Sequence, residues 1–280
     1  ASGPHLRATR IAQSRAHRAG LPVPRPLFEE LQTIGTTDAL VAVDEYLPAA
    51  PPADARDPAV RRKLAEMLAV FIQEMSLVAT DPELSRSRLV YPVDGDLWPT
   101  PHSPVFDFES SREGAGWIDE FALAAKARMR SRHGEVKTGH ADWRVFNVRP
   151  ASGSSPAAIY DLDSVIRDHE PLLVGRACAG YTTGGPYFEL PRFSQALEFL
   201  RDYEECSGRC FSATERREVM AMAAYHLAYV ARCAHSLEHS RGTASAPPRE
   251  GSSREILLSE GAEWLSWDGE LDPTISPRAS

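Results

Sequence analysis

HADWRVFN, residues 140–147, carries His140, Asp142 and Asn147 on what reads as a loop. AAIY, 157–160, then forms a short apolar run suited to a buried β-strand, and it hands over directly to the acids of YDLD, 160–163. Upstream, Trp117, Ile118, Phe121, Ala125 and Met129 mark an amphipathic helix, and 81–111 before them is rich in Pro, Ser and Asp and reads as loop. Asp57 as N-cap and Pro58 as first helical residue open a core helix along which Val60, Leu64, Met67, Leu68, Phe71, Ile72 and Met75 recur. Nearer the start, a short basic helix from His5 is stopped by Gly20 and LPVPRP. PLFEELQTI and DALVAVDEYLP, separated by GTT, read as a β-hairpin, and AAPPADARD as a Pro/Ala linker. Downstream, a helix is expected over 193–205. The capping box SATE (Ser212, Glu215) opens a long apolar helix running to about His235. Residues 239–253 read as a flexible linker, and SREILLSEGAEWLSW as a last helix.

With 280 residues, 42% hydrophobic and 25% charged, the chain can bury a large core in one or two domains. It has no run of about 18 apolar residues to span a bilayer. ASGPHLRATR lacks the apolar segment of a signal peptide, so a cytoplasmic protein is expected. Cys178, Cys206, Cys210 and Cys233 are too scattered for a disulfide framework, and Cys206 with Cys210 lacks a second pair for zinc. A net charge of −8 speaks against nucleic acid as the main partner, because phosphate binding wants a basic face. The acidity suits a cationic or neutral ligand, and equally suits mere solubility.

Asp142, Asn147 and Asp161 match what phosphoryl transfer from a nucleotide to a hydroxyl requires. One carboxylate must orient the hydroxyl proton, and hard oxygen ligands from a carboxylate and an amide must hold Mg²⁺. Five residues from Asp142 to Asn147 let a loop project the acid and return the amide, and the AAIY strand delivers Asp161 beside Asn147.

HADWRVFN resembles the HxDxxxxN catalytic loop of the kinase-like superfamily. YDLD resembles the metal-binding segment, commonly IDWD, of its aminoglycoside phosphotransferase and choline kinase branch. YDLDSVIRDHEPLLVGRACAGYTTGGP and FSATERREVMAMAAYHLAYVARCAHSL look like an actinobacterial-type group within that branch. LPVPRPL followed by VDEYLP resembles the passage from the C-helix through two strands to the nucleotide hinge, so the likeness spans roughly residues 5 to 265.

The resemblance implies an α+β, protein-kinase-like fold. Residues 1–48 would form a reduced N-lobe of helix plus β-hairpin ending at the hinge, and 49–280 a mostly helical C-lobe. It implies Mg²⁺-dependent transfer of the γ-phosphate of ATP or GTP to a small-molecule hydroxyl. Asp142 would be the catalytic base, Asn147 and Asp161 metal ligands, and Asp163 a support for Asp161 or a ligand of a second metal. Arg144 would neutralise developing charge and His140 brace the loop. The backbones of Glu45 and Leu47 would meet the adenine edge, with Tyr46 pointing away.

Each residue also has a plain structural reading. Arg144 suits a surface ion pair, Asp163 a cap, and Trp143 and Phe146 apolar packing rather than substrate stacking. Tyr181, Thr182, Thr183 and the Gly184-Gly185-Pro186 turn read as a turn or as part of an acceptor pocket. Glu204, Glu205 and Glu260 read as solvated helix faces or contacts for a cationic acceptor. The acceptor stays open among an aminoglycoside, choline, homoserine, a sugar and another antibiotic.

The kinase-like pattern also leads one to expect a Gly-rich phosphate loop and a Lys paired with a C-helix Glu. None is visible: the helix from His5 has no acid, and Lys63, Lys126 and Lys137 fall in helix or loop contexts. Either the sequence omits the first strands, or the protein is a weak or inactive relative, a binding or regulatory pseudokinase. In a third reading the chain is a helical interaction module and the motif spacing is coincidence.

Overall fold

The computed structural model describes residues 3–33, 40–87, 89–91, 95–186, 189–244 and 247–271. Helix α1 (Gly3–Arg18) places Ala8, Ala12 and Ala16 on one stripe, and that small-residue face is the one it buries. Gly20, at φ 84°, takes the left-handed conformation that ends the helix, with the Leu21 amide bonded back to the Ala16 carbonyl at 3.0 Å. Strands β1 (Gln32–Thr33) and β2 (Leu40–Val41) pair antiparallel, Gln32 opposite Val41. Their pairing continues towards the chain ends through Leu27 N–H to Val43 O (3.0 Å) and Glu45 N–H to Arg25 O (2.8 Å). The expected GTT turn lies outside the described residues, as do parts of the loop over 81–111 and of the linker over 239–253.

Helix α2 (Pro58–Val78) starts as its sequence dictates, with the Asp57 carboxylate accepting from the Ala59 amide at 2.8 Å. Leu64, Leu68, Phe71, Ile72 and Met75 are buried, while Val60 and Met67 sit at the edge of the same core. The remaining helices are α3 (Gly116–Arg128), α4 (Glu170–Gly180), α5 (Phe193–Ser207), α6 (Ala213–Ser240) and α7 (Ser253–Ser266). Ser212 and Glu215 form the reciprocal capping box of α6, with side-chain-to-amide distances of 3.2 and 2.8 Å. That helix runs to Ser240 rather than ending near His235, and so takes in the first two residues of the expected linker.

Four strands frame the central segment. β3 (Val136–His140) pairs antiparallel with β6 (Val165–His169), His140 opposite Val165. β4 (Val148–Arg149) pairs with β5 (Ala158–Ile159), Val148 opposite Ile159. HADWRVFN is therefore not all loop, because His140 closes β3. Lys137 likewise lies on β3 and not in a helix or loop. β3 is the strand that propensity hides: VKTGH offers one β-branched apolar residue and a glycine, and pairing with β6 overrides its weak preference.

α4 lies against α6 so closely that a Cβ on Gly175 would fall 2.3 Å from the Val219 carbonyl oxygen. One core cluster joins α1 to the helices that follow residue 57. Among the described residues no helix is long and apolar enough to cross a membrane.

Candidate active site

The β4–β5 register explains how residues 14 apart in sequence meet. With Val148 opposite Ile159, Asn147 and Tyr160 flank the same end of the ladder, and the Tyr160 amide donates to the Asn147 carbonyl at 2.9 Å. Asp161, next in the chain, thereby comes beside Asn147. Before Asn147 the chain makes a tight turn in which the Asn147 and Val148 amides both reach the Arg144 carbonyl at 2.9 Å. The segment after α4 holds this turn from outside, Val145 N–H bonding to Tyr181 O (2.9 Å) and Phe146 N–H to Thr183 O (3.3 Å). Gly184, at φ 81°, passes so near that a Cβ there would lie 2.5 Å from Phe146 Cβ.

Two carboxylates converge on one amide nitrogen. Asn147 Nδ2 donates to Asp142 Oδ2 at 2.8 Å and to the Asp142 carbonyl at 3.1 Å, and lies 3.5 Å from Asp161 Oδ2. The two carboxylates therefore lie within the reach of one or two divalent-cation shells. Asp161 sits at φ 61°, ψ 44°, a left-handed conformation that aspartate tolerates better than most residues, and its Oδ2 accepts from the Ser164 hydroxyl at 2.8 Å. Partial desolvation would push its carboxyl up, but hydrogen bonds from Asp163 and Ser164 and the charge of Arg144 bring it below the ordinary aspartate value. Asp163, beside it and sharing that hydrogen bond, is pushed up to about 6 by partial desolvation and by the Asp161 carboxylate. Among the described residues no cluster of three or more His, Cys, Asp or Glu is placed to hold a metal. The donor set here is two or three carboxylates plus an amide. That all-oxygen chemistry suits Mg²⁺ and would suit a softer metal poorly.

His140 is fully buried and braces the loop. Its Nδ1 accepts from the Asp142 amide (3.1 Å) while Nε2 donates to the Tyr160 carbonyl (2.9 Å), and burial holds the ring neutral by lowering its pKa. Arg144 lies 2.8 Å from Asp142 Oδ2 with about a third of its side chain exposed. Trp143 and Phe146 separate cleanly. Trp143 is 1% exposed, packed on Phe71 at 5.5 Å with its indole N–H on the Leu64 carbonyl at 3.2 Å. Phe146 is 53% exposed, with the Arg144 and Arg149 guanidinia 5.6 and 5.5 Å from its ring. Thr182 donates to the Glu189 carbonyl at 2.7 Å, and Tyr181 stacks on Phe199 at 4.7 Å; both make structural contacts. Glu204 pairs with Arg216, Glu205 with Arg62 and Glu260 with Arg192, so each of these acids already has a cationic partner.

Opposite the carboxylates a cavity of about 430 Å³ runs between α1 and the segment 44–47, with Tyr160, Asp161 and Asp163 on its other wall. Tyr46, expected to point away, is 86% exposed and is among the residues lining this cavity, and Glu45 pairs its side chain with Arg25. The Glu45 amide is used by Arg25. Among the described residues the Glu45 carbonyl and the Leu47 amide carry no hydrogen bond, which leaves one acceptor and one donor along that edge. Two features of this wall have no counterpart in the sequence reading. Arg10 of α1, 2% exposed, bonds the Phe28 and Val43 carbonyls and pairs with Asp44. The Tyr160 hydroxyl donates to the Leu47 carbonyl at 2.5 Å. A tyrosine where related segments carry isoleucine was the available signal for the second.

No protein-family model matches the chain, and no curated protein matches its sequence. Solved structures do match. An amicoumacin kinase in complex with AMP-PNP, Ca²⁺ and Ami superposes with a TM-score of 0.60 at 11% identity, over 94% of this chain and 78% of that one. An aminoglycoside 2′-phosphotransferase IIIa variant in its GDP complex gives 0.54 at 12% identity, over 92% and 83%. An aminoglycoside phosphotransferase from Alicyclobacillus acidocaldarius gives 0.51 at 14% identity, over 95% and 81%. At these identities the likeness is one of fold. The chain has the α+β, protein-kinase-like fold that these small-molecule phosphotransferases share.

Proposed function

We propose that this chain, built on the kinase-like fold, transfers the γ-phosphate of ATP or GTP to a hydroxyl of a small molecule in a Mg²⁺-dependent reaction. The observation that carries this reading is the convergence of Asp142 and Asp161 on Asn147, with Asp161 also lining a cavity edged by Glu45 and Leu47, whose carbonyl and amide carry no hydrogen bond among the described residues. Residues 1–48 then act as the nucleotide-facing lobe and 49–280 as the lobe carrying catalysis. In this division Glu45 and Leu47 contact the base through their backbones, and Tyr46 takes no part beyond its place in the hinge.

Asp142 has Oδ2 engaged by Asn147 and Arg144, so Oδ1 is the atom available to accept the hydroxyl hydrogen of the acceptor. Asn147 fixes the direction of that carboxylate through two bonds from one amide nitrogen, and His140 fixes the Asp142 amide. Asp161 and Asn147 would hold Mg²⁺, with Asp163 supporting Asp161; the bound ion would supply charge neutralisation at the phosphates. Arg144, only partly buried, is placed to leave Asp142 and meet the charge that develops during transfer. The nucleotide and the small-molecule hydroxyl are the partners, in a cytoplasmic setting without nucleic acid or membrane.

One observation favours a rival. α1 has no acid to pair with a phosphate-binding lysine, and its buried Arg10 is committed to Asp44, which fits a nucleotide-binding or regulatory pseudokinase. A transfer assay decides. With Mg²⁺ and ATP or GTP labelled at the γ-phosphate, the full chain should pass label to at least one acceptor class among aminoglycosides, choline, homoserine and simple sugars. Nucleotide binding with no transfer to any of them would favour the pseudokinase.

A further inference from the structure

Each polar group of Tyr160 is committed to a different part of the site. Its amide donates to the Asn147 carbonyl at 2.9 Å, its carbonyl accepts from His140 Nε2 at 2.9 Å, and its hydroxyl donates to the Leu47 carbonyl at 2.5 Å. The ring lines the cavity between the segment 44–47 and Asp161.

The segment it anchors has little else to hold it. Tyr46 is almost wholly exposed, Pro48 has no N–H to continue a strand ladder, and the last backbone bond before that point is Glu45 N–H to Arg25 O. Beyond Pro48 a second strut comes from the same hairpin, Arg149 Nη1 donating to the Ala50 carbonyl at 3.2 Å. The β4–β5 hairpin thus grips the connector on both sides of Pro48, and among the described residues only the Tyr160 strut bonds Leu47, a residue that lines the cavity.

We propose that Tyr160 is a positioning residue: its hydroxyl pins the Leu47 carbonyl, fixes that residue at the cavity edge for the nucleobase, and ties base binding to the Asn147–Asp161 pair. This rests on the nucleotide reading above and adds to it a residue that the phosphate-handling motifs do not include. The held carbonyl belongs to the Leu47–Pro48 peptide and the Leu47 N–H to the peptide before it. With Glu45 bonded to Arg25 on one side and the Leu47 carbonyl pinned on the other, the Leu47 dihedrals are restrained and the base meets a preorganised donor. Without the hydroxyl, the Leu47 carbonyl must find water and the amide samples other directions.

The test is Tyr160→Phe, which keeps the ring and both backbone bonds. Binding of Mg-ATP and of Mg-tripolyphosphate, which has no base, is measured by calorimetry on wild type and variant, together with the melting temperature. ATP affinity should fall by about threefold to tenfold, the range one hydrogen bond supports, while tripolyphosphate affinity stays within about twofold. The ratio of the two affinities is the readout, because a merely structural tyrosine would change both alike or neither. An unchanged ratio, whether or not the melting temperature drops, would overturn the proposal while leaving the nucleotide site standing. Failure of the wild type to bind either probe would instead sink the nucleotide site, and this inference with it.

Discussion

Replacing Asp142 by alanine should lower phosphoryl transfer by about 10²- to 10⁴-fold, the range a positioned general base supplies, while nucleotide affinity stays within about twofold. The separation follows from geometry. The Asp142 side chain is about one-third exposed and meets Asn147 and Arg144, whereas the cavity along segment 44–47 is lined by other residues. The loop should keep its shape, because Asn147 Nδ2 also bonds the Asp142 backbone carbonyl and His140 holds the Asp142 amide, and neither bond involves the deleted carboxylate. Steady-state kinetics with the acceptor found by the transfer assay, alongside a melting curve, checks this. Turnover unchanged in a folded variant would remove Asp142 from the mechanism.

Trp143→Ala should cost about 3–5 kcal/mol of stability, the usual loss for truncating a buried aromatic. Trp143 is among the largest fully buried side chains, wedged against Phe71 and His140 with its N–H on the Leu64 carbonyl of α2. Truncation leaves that carbonyl without its partner and opens a cavity directly under the Asp142 backbone. For a chain of this size the melting temperature should fall by about 10 °C. Below the transition, turnover should fall more than nucleotide binding, since the void lies under the catalytic loop. A melting shift of less than about 2 °C would show that Trp143 does not anchor the loop as the packing indicates.

What the sequence reveals depends on how local the cause is. The Asp57–Pro58 start of α2 and the Ser212–Glu215 box of α6 are local hydrogen-bond patterns, so they can be read without the fold. Helix α4 is different. From Leu172 through Ala179 every residue is buried, including Arg176, so the helix shows no polar face and no 3.6-residue period to detect. β3 and β6 likewise owe their strand state to each other, across an intervening hairpin.

The candidate site divides the same way. The spacing of Asp142, Asn147 and Asp161 predicts which residues should meet, but their meeting depends on the β4–β5 register, and register is a property of pairing. Which of Trp143 and Phe146 faces solvent could not be read from two aromatic positions three residues apart on one loop; the loop's turn, held by Tyr181 and Thr183, settles it. The Tyr160 hydroxyl reaches a residue 113 positions away, a contact with no local signature.

The cavity wall is acidic: Asp44, Glu45, Asp161 and Asp163 face it, and Arg10, the one cation among the described lining residues, is already paired with Asp44. A bare triphosphate should be repelled there and a cation-bound one accepted. The most direct measurement is therefore the melting temperature of the full chain with ATP or GTP, with Mg²⁺ and with EDTA, in wild type and in Asp161→Asn. Near-saturating nucleotide with Mg²⁺ should raise the wild-type value by about 5–10 °C, and EDTA or the substitution should abolish the rise. No rise with either nucleotide, or an equal rise without Mg²⁺ or without the Asp161 carboxylate, would contradict a metal-dependent nucleotide site at these residues.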